Sequence, residues 1–219
     1  MENQNPWLSI WTSPRATIAR IVAENPNRSL WLLASIYGFC SLMNLYQSMA
    51  LGAMLNTLGI LVLAVVLAPL WGWISFTVWS FFVSFVGKWF KGQATFSAVR
   101  ASYAWSCVPI VLNIPLWLLM VFIFGHQLFL NFDNSEMLSN GQILFLFAIL
   151  GIKVILAVWS FVIYLNALAE VQKFSILRSF VNIVVAGIIF LVLFFALWSL
   201  LAYAFGGVAT STYLILKPF

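Results

Sequence analysis

Charge is scarce in this chain. Its 219 residues hold five Asp and Glu, one His and ten Lys and Arg, so only 7% are charged. Soluble domains carry about 25%, and a water-exposed surface cannot be built from so few. The scarcity also limits chemistry. Catalysis needs a nucleophile with a base, or a metal held by several ligands. Five scattered carboxylates and one imidazole supply neither. No His-Glu-x-x-His, Gly-x-Ser-x-Gly or P-loop pattern occurs. An enzyme is not expected, nor is a cofactor or a bound metal. Cysteine is equally sparse. Cys40 and Cys107 both fall inside apolar runs, with no Cys-x-x-Cys, and read as small side chains in helix packing. No long polar stretch is left for a separate soluble domain. Met1–Arg28 is polar and mixed rather than a basic start with a short apolar core. No cleavable signal is therefore expected, and the first apolar run should act as an anchor.

What is present is hydrophobic: 64% of residues. Five apolar runs, Leu30–Ala50, Leu58–Val86, Ala101–Gly125, Ile143–Leu168 and Phe180–Gly206, approach or exceed the roughly 20 residues that cross a bilayer as helix. The expected fold is all-α: a polytopic membrane protein with a compact bundle of five transmembrane helices. Residues 1–29 form an N-terminal segment and 30–219 the membrane domain. Pro69 in the second run predicts a kink or strong tilt. Pro109 and Pro115, with Asn113 between them, predict freed carbonyls in the third. Two readings of that third run stand: packing geometry, or a broken helix lining a site.

The charges that exist are sided. Arg15, Arg20, Arg28, Lys88, Lys91, Arg100, Lys173 and Arg178 all fall in gaps on one side of the runs. The opposite gaps hold Asp133, Glu136 and the tail residue Lys217. The positive-inside rule predicts a cytoplasmic N-terminus, an external C-terminus and a location in the cell inner (plasma) membrane. Spread over several gaps, these basic residues are not a nucleic-acid stripe. Lys88, Lys91, Arg100, Lys173 and Arg178 are the candidate site for anionic lipid or a partner protein.

Ser13-Pro14 opens a short helical pattern. Trp11, Ile18, Ile21 and Val22 recur at helical spacing, with Arg15, Arg20 and Glu24 off that stripe. An amphipathic helix is expected, lying on the inner leaflet or docked on the bundle; both use the same apolar face. An internal echo, Phe96-Ser97-x-x-Arg100 and Phe174-Ser175-x-x-Arg178, opens the third and fifth runs, with Ser expected as helix N-cap in both.

Lys153 is the one charged residue deep in a run. With Ser160 and Tyr164 it makes one face of the fourth run polar, and that face should point inward. Lys153 is expected to face an anion or a backbone carbonyl, with Asn113 as a further intramembrane polar candidate.

Several phrases carry a resemblance. They are Asn5-Pro6-Trp7 and Trp11-x-x-Pro14-Arg15, then Gly87-Lys88-Trp89-Phe90-Lys91-Gly92 before Thr95-Phe96. Tyr103 ahead of Pro109 follows, then Trp159 and the passage from Ala169-Glu170-Val171 to Phe174-Ser175. Their order and spacing resemble the YIP (Ypt/Rab-interacting protein) membrane-domain family in its short bacterial form. The resemblance implies a compact five-helix bundle with a cytoplasmic N-terminus. Eukaryotic members are associated with early secretory membranes, Rab GTPases and membrane shaping, and carry an acidic Asp-Leu-Tyr-Gly-Pro-type motif. That motif is missing here, and Ser102-Tyr103 stands where those members have Gly-Tyr, which argues against a Rab-type GTPase partner.

The function expected is membrane organisation or scaffolding through lipids, other membrane proteins or a second copy of the chain. The alternative is a small transporter or channel for an anion or lipid, using Lys153 and the Pro-broken third run.

Overall fold

A computed structural model describes residues 5–130 and 138–215, with side chains through Ala204. Asp133, Glu136 and Lys217 lie outside the described residues. The order is α1 (Pro6–Thr12), α2 (Pro14–Glu24), α3 (Leu30–Ser48), α4 (Thr57–Trp89), α5 (Phe96–Ser106), α6 (Asn113–Phe124), α7 (Asn140–Gln172) and α8 (Ile176–Ile215). Short 3-10 segments at Leu51–Ala53, Val108–Leu112 and Gly125–Phe129 join some of them. Among the described residues there is no strand.

Four stretches are long and apolar enough to cross a membrane: Thr57–Trp89, Phe96–Phe129, Asn140–Gln172 and Ile176–Ala204. The first predicted run is a helix too, but α3 has 19 residues and is not one of those four. Ser35, Ser41, Asn44 and Gln47 lower its apolar content. Length and composition therefore support four spans, where the sequence reading expected five.

The α3–α4 pair is the tightest in the molecule. The helices run antiparallel, with Gly38 against the Ala68 carbonyl and Gly72 against the Ala34 carbonyl. Ala34 and Gly38, and Ala64, Ala68 and Gly72, are spaced one turn apart, so each helix presents a flat strip to the other. A Cβ on either glycine would collide with backbone, not with a movable side chain. The strip thus fixes both distance and register. Pro69 follows Ala68 and removes one helix donor. α4 continues as one helix through it. A proline can persist where the neighbouring helix holds the backbone in place.

The third predicted run is interrupted. α5 ends at Ser106, a 3-10 segment covers Val108–Leu112, and α6 starts at Asn113. Pro109 and Pro115 have no N–H, so two carbonyls one turn earlier lose their helical partner. Those are the carbonyls of Trp105 and Val111, and the break turns Cys107 N–H toward the first and Asn113 N–H toward the second. Beside them Ser106 Oγ donates to the Tyr103 carbonyl at 2.6 Å, and Cys40 Sγ on α3 reaches the Ile110 carbonyl at 3.9 Å.

The N-terminal helices dock on protein. Ile10, Ile18 and Ile21 are fully buried in one cluster with Leu33, Phe76, Trp105, Val108 and Ile163. Trp7 meets the Trp105 ring edge-on at 5.5 Å, and Thr17 donates to Ser9 across the α1–α2 joint at 2.9 Å. Of the two expectations for this segment, the observed packing matches the docked one: the apolar face is used on α5 and α7. Pro14 stands at the first position of α2 as expected, but Ser13 makes no side-chain cap bond.

Gly38→Val or Gly72→Val should force α3 and α4 apart and lower the thermal midpoint in detergent, by about 1–3 kcal/mol or more. Gly151→Val, at a helical position with nothing within 4 Å of its Cβ, should change stability by less than about 0.5 kcal/mol. Equal effects at both places would remove the argument.

Candidate functional site

The ends of α4 and α7 and the starts of α5 and α8 meet at one end of the bundle, where the basic candidates gather. Each of the two helix ends closes with a lysine in the left-handed conformation, Lys91 at φ 59° and Lys173 at φ 57°. The bonds around them match. Gly92 N–H donates to the Gly87 carbonyl at 2.9 Å, and Phe174 N–H to the Ala169 carbonyl at 2.8 Å. These are six-to-one closures that satisfy the last carbonyls of a helix. Glycine usually stands at the left-handed position; lysine here places a cation beside the negative end of the helix dipole.

The candidate cations do not converge on one point. Arg100 donates from Nη2 to Asn27 at 3.1 Å and lies over the Phe96 ring at 5.4 Å. Lys173 pairs with Glu170 at 2.6 Å, the local pair its spacing predicts, and an exposed pair of this kind contributes under about 1 kcal/mol. Arg178 lies over Phe174 at 5.6 Å. Lys88 and Lys91 are exposed. Among the described residues Lys88, Lys91 and Arg178 make no ion pair. α5 packs on α2, α4 and α7, and α8 on α4 and α7, so Arg100 and Arg178 stand on different sides of this end.

The expected N-caps divide. Ser175 caps α8, accepting from Arg178 N–H at 3.3 Å. For α5 the cap is Thr95, which accepts from Ala98 N–H at 3.3 Å. Ser97 was expected there and instead sits inside the first turn, its hydroxyl 3.1 Å from that of Thr95. Thr95 wins because its extended backbone at φ −72°, ψ 157° aims its oxygen along the helix start.

Gln172 was not anticipated. It is buried, and its Oε1 accepts from Ala94 N–H at 3.3 Å. Its amide occupies the space that a Cβ on Gly87 or Gly92 would take. The Gly-Lys-Trp-Phe-Lys-Gly phrase thereby acquires a physical reason: two glycines leave the notch that one glutamine fills. Beside it Asn182 is fully buried, and neither amide atom has a partner among the described residues. In sequence Asn182 is marked only by interrupting an apolar run, and Gln172, in the charged gap after Leu168, is marked by nothing.

Among the N-terminal candidates, Trp11 and Val22 pack at the rim of the docked cluster. Arg15 donates from Nε to Asn166 on α7 at 3.3 Å. Arg20 is partly buried.

Within the bundle, Lys153 meets neither an anion nor a carbonyl among the described residues. Its Nζ sits 3.7 Å from the centroid of the buried Trp117 ring on α6. This cation–π contact is worth about 0.5–2 kcal/mol and ties the broken third run to α7. Ser160 and Tyr164 are buried as expected for an inward face, and Tyr103 meets Tyr164 at 5.1 Å. Asn113 Oδ1 is buried with no partner among the described residues. At the opposite end His126 Nδ1 lies 3.5 Å from Thr57 Oγ1. Among the described residues no three metal-ligating side chains cluster.

The notch predicts a rescue. Gly87→Ala should destabilise by collision with Gln172, and Gln172→Ala by leaving Ala94 N–H unpaired, at about 1–3 kcal/mol. Combined, they should cost less than the two effects added, because the first collision disappears. Strict additivity in detergent melting curves would contradict the fit.

Comparison with curated proteins and with solved structures returns no significant match. The family model of the Yip1 domain matches residues 8–198. That match runs from the docked N-terminal helices through the apolar helices into α8, well over half the chain, and the chain therefore belongs to the Yip1 domain family.

Proposed function

We propose that this protein is a multi-pass inner-membrane scaffold. It acts by holding anionic lipid headgroups and neighbouring membrane proteins at its basic end, without catalytic chemistry. One observation carries the reading. Lys88, Lys91 and Arg178 are exposed at one end of an apolar bundle, and no carboxylate among the described residues neutralises them. Cations at headgroup depth attract anionic lipid at about 1 kcal/mol each. In this reading α3 is a fifth span. It is ~28 Å long at 1.5 Å per residue, close to the roughly 30 Å of hydrocarbon; Trp71 of α4 donates to Ser41 at 3.1 Å, and Asn44 donates back to the Cys40 carbonyl at 2.8 Å. The basic end then faces the cytoplasm.

The competing reading is a small transporter for an anion or lipid. The 3-10 break at Val108–Leu112 favours it, since irregular backbone at membrane depth elsewhere lines transport paths. The Trp117 ring over Lys153 weighs against it, because it already engages the cation an anion would need.

Two experiments test this. The triple variant Lys88→Ala, Lys91→Ala, Arg178→Ala should lose most of the phosphatidylglycerol that co-purifies in mild detergent. Lys153→Ala should keep it and should show no change in anion flux in proteoliposomes. Unchanged lipid retention in the triple variant refutes the scaffold reading, and flux abolished by Lys153→Ala would favour the transporter. For the fifth span, impermeant thiol reagents should label Met54→Cys from outside and Glu24→Cys from the cytoplasm. Labelling of both from one side would leave four spans.

A further inference from the structure

The basic end also carries a carboxylate, and it stands in the wall of a groove. α2 packs on α5 and α7, and small side chains leave a gap where the three meet. Ala19 and Ala23 of α2, Ala98 of α5 and Val171 of α7 line a groove of about 290 Å³. Thr95, Glu170 and Lys173 supply polar lining, and no aromatic ring borders it among the described residues. Ligand sites span roughly 300–1,000 Å³. A groove at the lower end of that range has room for a headgroup and not for a whole lipid.

The groove carries both signs of charge. Glu170 Oε1 accepts from Lys173 Nζ at 2.6 Å, with the glutamate side chain 26% exposed and the lysine 59%. A carboxylate has about four acceptor positions and an ammonium three donors, so each partner retains capacity for a ligand. The helix ends add to this polarity. α7 ends at Gln172 and α5 begins at Phe96, so the negative end of one dipole and the positive end of another border the groove. A purely anionic headgroup would meet Glu170 with no cation of its own to offset the repulsion. A zwitterion satisfies both walls. Its cation must carry N–H groups to donate to Glu170. A quaternary ammonium has none and is recognised by aromatic faces, which this groove lacks.

We infer that this groove holds a phosphatidylethanolamine headgroup, with its ammonium on Glu170 and its phosphate on Lys173. The alanines leave space for the glycerol portion, and the acyl chains stay in the leaflet. The bundle end then sorts lipids by charge: anionic heads at Lys88, Lys91 and Arg178, and a zwitterionic head between α2, α5 and α7. A basic side chain of a partner protein offers the same ammonium without the phosphate, so it leaves Lys173 unused. The inference rests on the reading that this end lies at headgroup depth. It does not rest on the capture of anionic lipid by the other cations, so retention of the two lipids can fail separately.

The test is lipid retention in mild detergent after reconstitution with phosphatidylethanolamine, phosphatidylglycerol and phosphatidylcholine. Unmodified protein should retain phosphatidylethanolamine several-fold over phosphatidylcholine. Glu170→Gln removes the charge at nearly the same shape. Ala23→Phe fills the groove from an exposed position on α2. Lys173→Gly removes the amine at a left-handed position that glycine suits. Each variant should lower phosphatidylethanolamine retention several-fold and leave phosphatidylglycerol as it was. A benzophenone side chain placed at position 19 should gain the mass of a phospholipid in native membranes. Equal retention of the ethanolamine and choline lipids by unmodified protein overturns the inference, even where a variant fails to fold. So does unchanged phosphatidylethanolamine in any folded variant, or loss of both lipids together. A crosslink from position 19 to a protein or to a second copy would mean that a polypeptide fills the groove, and overturns it as well.

Discussion

Backbone contact between α3 and α4 is the constraint on which the rest depends. Gly38 and Gly72 bring carbonyls to within reach of the facing helix, so the two helices can neither slide nor separate without collision. In lipid no hydrophobic force pushes helices together, and close packing of small residues is what holds them. This register sets where α3 begins. The start of α3 in turn sets the depth of the α2–α3 turn, where Asn27 receives Arg100. The docked α1–α2 pair hangs from the same point, with Ile18 and Ile21 filling the space above Leu30 and Leu33.

Polar groups in this bundle serve mainly as fasteners. Gln172 joins the end of α7 to the α4–α5 connection through Ala94. Lys153 joins α7 to α6 through an aromatic face instead of a counter-ion. Cys40 reaches the Ile110 carbonyl in the 3-10 segment of the proline break. In each case a group that would be costly alone in lipid is placed where a neighbour offsets it. The basic residues at the bundle end are different. Several are left exposed and unpaired, which is why they, and not Lys153, carry the functional proposal.

Much of the helical layout was legible in the sequence. Apolar runs of this length admit one solution in lipid, and the starts of α4, α7 and α8 fall within a few residues of the runs that announced them. Pro109 and Pro115 announced the interruption of the third run, because a missing N–H acts locally. The phrases around Trp7, Gly87 and Glu170 announced the family. Other features were misjudged for reasons beyond sequence. Ser97 and Thr95 are both sound N-cap residues, and only the backbone path selects Thr95. Pro69 pointed to a kink or strong tilt, and only the structure shows that α4 runs through it as one helix. Gln172 reads as one more polar residue of a charged gap, and Asn182 as a stray in an apolar run, until Gly87 is seen beside them.

What the sequence determined by itself is the solvent and the sidedness of charge, since hydrophobic length and the placement of Lys and Arg are properties of the chain read in order. What only the tertiary structure decided is partnership: which glycine touches which carbonyl, that Lys153 rests on Trp117, and that Gln172 fills the notch beside Gly87 and Gly92. Those depend on register between helices distant in sequence. Register is set by the summed fit of many side chains, which no single residue announces.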